Sequence, residues 1–435
     1  NSDLIDNTDL TKDFIDPIID NILDIFESSG DFKTDRKVLK GISLVDPKEH
    51  EDWEIDTSKY SRWYKHRDLL YSKGKLDSNA INHIHSESTK ILQLLEDPER
   101  NIFKSHGLVV GHVQSGKTAN FTALVAKALD QGYRFVIVLA GIHNILRQQT
   151  QYRIQTELLS DYNAADFHLK PESLTCVTRE GINGKEEDGD FHLKKCNYYS
   201  FDDLYKGNSQ TIIAVIKKNA SSLDNITKWL ERSSCSPNLR GIPTLIIDDE
   251  ADQASVNGRS NTDDDPTKIN EKIKLLLSKF NKYSYVGYTA TPYANFFIPY
   301  GNDEFSENDL FPRNFIHLLP EPQKYIGINK IFNNDLENFF ICNIGNPGKT
   351  KRSNGDLYQL LNTNTLPESL TFAVWDFLFA VVIREFRGVD QSPMSMMIHV
   401  THSADEIDRI IAPLIRRHIE ILREEELNED FIRNR

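Results

Sequence analysis

The chain has 435 residues, too many for a single hydrophobic core, and usual domain sizes divide it into roughly two or three units. Its formal net charge is −14, with 65 acidic against 51 basic residues, which excludes a general electrostatic hold on nucleic acid and leaves any such contact to a local basic groove. Cys176, Cys196, Cys235 and Cys342 lie far apart with no C-x-x-C pair, which argues against a zinc site or a disulfide framework and for a reducing compartment, the cytoplasm being the simplest.

Residues 1–100 read as a helical accessory region, with apolar residues at helical spacing in Phe14, Ile18, Ile22 and Ile25 and again in Ile84, Ile91 and Leu94, and no strand alternation. Tyr60, Trp63, Tyr64 and Tyr71 form an aromatic cluster suited to core or interface packing. Gln93 fits an adenine-reading position upstream of the next motif and equally an exposed helix position. From 101 to 300 short apolar strands alternate with helices: Gly107–Val110, Phe135–Ala140, Thr211–Ile216, Thr244–Ile247 and Tyr285–Tyr288. That alternation predicts a parallel sheet with helices on both faces. Residues 160–208, with KEEDGD at Lys185–Asp190, read as an inserted surface excursion, and 257–266, with three aspartates from Asp263, as a solvated loop.

Residues 301–366 are rich in Pro, Asn and Gly and read as a connecting segment. Over 367–435 a helix from Pro367 to Arg387, a strand from Met394 to Val400 and a further helix after Thr401, His402 and Ser403 are expected, the start of a second α/β lobe. The apolar window Phe372–Ile383 is too short to span a bilayer and carries Asp376, so no membrane partner is expected. Because the first residue is Asn and the closing ILREEELNEDFIRNR breaks off in a helical charge pattern, the chain reads as a fragment whose second lobe is truncated.

The strongest motif is GHVQSGKT, Gly111–Thr118, which fits G-x-x-x-x-G-K-[ST] between an apolar strand and a helical run. A glycine-rich turn at a helix start aims backbone N–H groups at phosphates, and Lys117 adds a full positive charge. Gly111, Gln114, Ser115, Gly116, Lys117 and Thr118 are therefore the candidate residues for binding ATP. After the strand at Thr244–Ile247 comes Asp248 and then Asp249-Glu250-Ala251-Asp252, where Asp249 and Thr118 would hold Mg²⁺ and Glu250 would polarise the attacking water. Lys117, Asp249 and Glu250 are the expected catalytic set.

The strand ending in Thr289-Ala290-Thr291 supplies hydroxyls that, with Asp252, are expected to couple hydrolysis to movement. Between these motifs, LAGIHNILRQQT follows the second strand, and Asn144, Arg147, Gln149 and Thr150 are of types suited to nucleic-acid phosphates. His143, His399 and His402 form no metal set. The order of the three motifs matches superfamily 2 helicase engines, so the expected fold class is an α/β, RecA-like P-loop NTPase lobe, preceded by the helical region and followed by the beginning of a second lobe.

The strings GLVVGHVQSGKTANFTALVAKALDQGYRFVIVLAGIHNILRQQTQ, LIIDDEADQAS, YVGYTATPYANFFIP and LFPRNFIHLLPEPQKYIG resemble the Z-one domain proteins, bacterial proteins whose family label reads endonuclease and which carry a superfamily 2 helicase module. The resemblance runs from about Trp63 to Ile411 and is specific at Gln114 and in the TATPYANFF continuation. It implies an ATP-dependent, DNA-associated component of an anti-phage defence system, encoded beside a GHKL-type ATPase of the MutL kind or a nuclease partner. The residues themselves offer no H-x-x-E helix, E-x-K set or HNH-like histidines, so any nuclease site is expected outside this chain. The rival expectation is a nucleotide-gated switch that docks partner proteins without translocating.

Overall fold

The computed structural model of the protein describes residues 42–45, 53–74, 76–113, 115–159, 174–178, 190–191, 200–205, 210–232, 237–253, 266–296, 310–322, 325–327, 331–332, 341, 360, 365–388, 393–399 and 404–424. Phe14 to Ile25, Gln114, most of 160–208, the aspartate loop from 257, Cys196, Cys235, Cys342, His402 and the last residues lie outside them. The chain forms two compact units, Asn1–Lys330 and Ile331–Arg435.

The first unit is built on an eight-stranded sheet. Its strands are β1 (Ile42–Val45), β2 (Phe103–Val110), β3 (Phe135–Ala140), β4 (Leu174–Cys176), β5 (Thr211–Ile216), β6 (Thr244–Asp249), β7 (Lys282–Thr289) and β8 (Phe315–Leu318), in the spatial order β1-β8-β2-β7-β6-β3-β5-β4. Every neighbouring pair is parallel except β1 with β8. The five predicted strands are all present, and the fold is the expected α/β lobe with a parallel sheet.

FVIVLA in β3 and TIIAVI in β5 are buried at every position, the pattern of central strands covered on both faces. Side chains alternate between two cores. Val136 and Val138 join Phe121 and Leu124 of α3 (Lys117–Gln131) and Ile91 of α2 (Ser78–Leu94) on one face. On the other, Phe135, Ile137 and Leu139 meet Trp229 of α5 (Ala220–Glu231) and Ile273 of α6 (Pro266–Leu277). The helix ends are set locally. Asp77 accepts the Ala80 N–H at 2.8 Å to start α2, and Asn219 accepts the Ser222 N–H at 2.8 Å to start α5. Gly132, at φ 120°, closes α3.

Three strands depart from the sequence reading. β1 lies in the region expected to be helical, β4 in the surface excursion, and β8 in the connecting segment, where it pairs in parallel with β2. The N-terminal helices α1 (Arg62–Ser72) and α2 pack on α3, with Tyr60 and Trp63 buried in the same core while Tyr64 and Tyr71 stay exposed. Gln93 is an exposed position of α2.

The second unit contains α7 (Glu368–Phe386), started at Pro367, and a helical run through Ala404–Glu406, a π turn at Ile407–Ile411 and Ala412–Glu424. The strand expected from Met394 is absent over 393–399, where Met397 is 86% exposed. Extended chain becomes a strand only against a hydrogen-bonding neighbour, and the described residues of this unit hold no strand to supply one.

Candidate nucleotide-binding site

Register brings the motifs together. Val110 of β2 stands opposite Thr289 of β7, Asp249 of β6 opposite Tyr288 of β7, and Ala140 of β3 opposite Asp249. All four strands run in one direction and end at one level. The glycine-rich turn, the acidic box, the hydroxyl turn and the start of α4 (Asn144–Leu158) therefore emerge side by side at the carboxyl edge, where open α/β sheets bind ligands. β7 separates the P-loop strand from the acidic strand, which sets the acidic box about 10 Å across the edge, two interstrand spacings.

The P-loop turns on two glycines. Gly116, the N-cap of α3, has φ 93°, and a Cβ there would meet nothing within 4 Å, so conformation rather than space demands glycine. At Gly111 the reverse holds: a Cβ would come within 3.1 Å of Leu319 Cδ1 and Lys117 Cγ. Lys117 is buried and donates to the carbonyls of Gly111 at 3.3 Å and His112 at 3.0 Å. Burial pulls its pKa below the ordinary lysine value, against the opposing pull of Glu250, Asp249 and Asp252, whose charges reach it across the edge. The Ser115 hydroxyl is buried with no protein partner, and Thr118 is half-buried on the first turn of the helix.

Asp249 is pushed up to about 6, first by burial, then by the charge of Glu250, with Asp248 adding to it. Glu250 has φ 55°, the left-handed region, at a cost of about 1–3 kcal/mol for a residue with a side chain. Asp252 accepts the Thr289 hydroxyl at 2.6 Å on one oxygen and the Thr291 hydroxyl at 2.7 Å on the other, while the Thr291 N–H donates to Thr289 Oγ1 at 2.9 Å. The three coupling candidates thus form one hydrogen-bonded unit.

The expected nucleic-acid contacts divide. Asn144 is half-buried and Gln149 exposed, but Arg147 is 1% exposed and Thr150 5% exposed. These two side chains are buried, unlike the surface position expected of phosphate contacts. The outer face of α4 carries Ile145, Leu146 and Tyr152 instead.

Sequence reasoning missed two contributors. Lys218, just after β5, is fully buried in an ion pair with Asp248 at 2.7 Å, and Tyr285 donates to the same carboxylate. After β8, the Leu319 N–H donates to Val110 O at 2.8 Å, the Tyr325 hydroxyl donates to Val113 O, and the Tyr325 and His112 rings lie 5.6 Å apart. The supposed connecting segment thereby straps the P-loop. A Lys-Lys pair at a strand end was the available signal for Lys218; nothing in PEPQKYIG signalled the strap.

Among the described residues no group of three or more His, Cys, Asp or Glu is placed to hold a metal ion. Mg²⁺ asks for less, taking one or two protein oxygens and keeping its waters beside phosphates. A largely buried carboxylate crowded by two acidic neighbours is a donor whose chemistry fits a hard cation, so Asp249, with the Thr118 hydroxyl, suits that role.

No family model matches the chain, and no curated protein matches it. Among solved structures it is similar to the Pyrococcus furiosus Hef helicase domain, at 17% identity and a TM-score of 0.27, over 51% of this chain and 34% of that one. It is similar at 19% identity and a TM-score of 0.27 to Mss116p bound to ssRNA and AMP-PNP, over 52% of this chain and 40% of that one. The chain thus spans about a third of one solved chain and two fifths of the other.

Proposed function

We propose that this chain is an ATP-hydrolysing lobe of the superfamily 2 helicase type, acting on DNA within a multi-protein anti-phage system of the Z-one domain kind, in the cytoplasm. The observation that carries the reading is that β2, β6 and β7 end in register, so that Asp249 and Thr289 share one sheet edge with the turns carrying Lys117 and Glu250, and the acidic charges act on Lys117. The backbone of Gly111–Thr118 and the Lys117 ammonium cradle the phosphates, and Glu250 orients the attacking water. When bound, Mg²⁺ supplies charge neutralisation at the phosphate oxygens, with Asp249 and Thr118 as its protein ligands. Asp252, Thr289 and Thr291 carry the response toward the polymer.

A specific observation favours a second reading. With Arg147 and Thr150 turned inward, a nucleotide-gated switch that docks a partner such as a GHKL ATPase needs no polymer grip from α4. Turnover of ATP by the purified chain, with and without single-stranded and duplex DNA, separates the two. The motor reading expects stimulation by DNA and loss of turnover in Lys117→Ala; indifference to DNA with nucleotide-dependent partner binding supports the switch, and full DNA-stimulated turnover by Lys117→Ala rejects the site.

A further inference from the structure

We propose that Lys218 is a positioning residue for the acidic box, its ammonium fixing the backbone from which Glu250 meets the nucleotide. The proposal rests on the nucleotide reading above and adds a residue that none of its motifs contains.

An ammonium has three N–H donors. Lys218 Nζ donates to two main-chain carbonyls, Asp249 O at 2.9 Å and Glu250 O at 2.7 Å, and lies 2.7 Å from Asp248 Oδ1 as its ion-pair partner. Any buried ammonium must find acceptors for its donors, so what points to positioning is which two carbonyls Lys218 takes. These two belong to the residues assigned to the metal and to the water, and the second is that of Glu250, held at φ 55°. A left-handed non-glycine residue persists only where its surroundings over-determine it. Lys218 bonds the Glu250 carbonyl from one side, and the Gln253 N–H donates to the same oxygen at 2.9 Å.

The lysine is itself anchored. β5 and β6 are not neighbours, since β3 lies between them, and the Lys218 N–H donates at 2.9 Å to Gly141 O in the turn after β3. Its backbone rests on the intervening strand's turn while its side chain continues to β6. The turn carrying it is braced by Asp190, which accepts the Lys217 N–H at 3.3 Å and the Ser222 hydroxyl at 2.7 Å. Lys218 and Asp248 are both fully buried, so solvent offers neither a substitute partner.

The test compares wild type, Lys218→Met and the double variant Lys218→Met with Asp248→Asn, by thermal denaturation, affinity for a fluorescent ATP analogue, and kcat against KM for ATP. The single variant strands a buried carboxylate and is expected to lose stability; the double variant removes both charges and restores it. The positioning role predicts that the double variant regains the melting midpoint and the nucleotide affinity while kcat stays lower by about 10²-fold with KM little changed, the scale expected of a catalytic group misplaced by about 1 Å. Recovery of kcat together with stability would overturn the proposal and leave a structural ion pair. Wild type that neither binds the analogue nor turns over ATP would instead bring down the nucleotide reading itself, a separate and recognisable failure.

Discussion

Replacing Lys127 with Met removes a cation buried between the P-loop helix and the N-terminal helices. Lys127 Nζ donates to His85 O at 2.7 Å, Ser88 Oγ at 2.8 Å and Thr89 Oγ1 at 2.6 Å, and lies 4.6 Å from the centre of the Trp63 ring. None of these partners is a carboxylate, and burial pulls its pKa from 10.5 down to about 7. A lysine with a depressed folded pKa binds fewer protons folded than unfolded between those two values, so stability rises with pH across that window. At about 1.36 kcal/mol per proton and pH unit, the rise from pH 7 to pH 9 is roughly 2 kcal/mol. Neighbouring Tyr60, pushed up to about 12, and His85, pulled down to about 4, both by burial first, keep their charge states through the same interval. Urea unfolding followed by tryptophan fluorescence at pH 7, 8 and 9 measures the effect. The stability difference between wild type and Lys127→Met should shift by roughly 2 kcal/mol in favour of wild type as pH rises, cancelling the contribution of Lys117 and other groups common to both. A difference constant to within about 0.5 kcal/mol would refute the reasoning and mean that the acceptors and the aromatic face hold the ammonium at its ordinary pKa.

Thr289→Val keeps the shape of a buried side chain and deletes both the donor to Asp252 and the acceptor for the Thr291 N–H; a loss of about 1–3 kcal/mol in unfolding free energy is expected. In a double-mutant cycle with Asp252→Asn the two changes should couple by at least about 0.5 kcal/mol, and additivity would dissolve the proposed unit. Gly287→Ala places a Cβ 2.9 Å from the Cβ of Ala251, between Glu250 and Asp252, and 3.1 Å from Leu108 Cδ1. That overpacking should cost about 1–3 kcal/mol and reduce ATP turnover more than ATP affinity, which unfolding and steady-state kinetics would check together.

The central sheet was legible because β2, β3, β5, β6 and β7 each carry an apolar run, as buried parallel strands do, and all but β5 lead into a motif. β1 and β8 escaped notice because each is four residues long, and β8 carries His317, whose place in a buried strand depends on Glu87, 3.0 Å away on α2 and 230 positions distant in sequence. No local pattern reveals such a partner. The glycine-rich turn and the acidic box are each contiguous in sequence and so carry a local pattern, whereas the Lys218–Asp248 pair joins β6 to the turn after β5, a strand that is not its neighbour in the sheet. The burial of Arg147 escapes the sequence for a related reason: a polar helix shows the kinds of side chain it carries, and only the packing of α4 decides which of them turn inward.

The most direct test of the proposed nucleotide site is the affinity for ATP and its turnover in Glu250→Gln beside wild type. A side chain that orients the attacking water should leave binding intact when its charge is removed and lower turnover by about 10²–10⁴-fold. Unchanged turnover in Glu250→Gln, in a protein that binds and hydrolyses ATP, would contradict the assignment of this sheet edge as the site of chemistry.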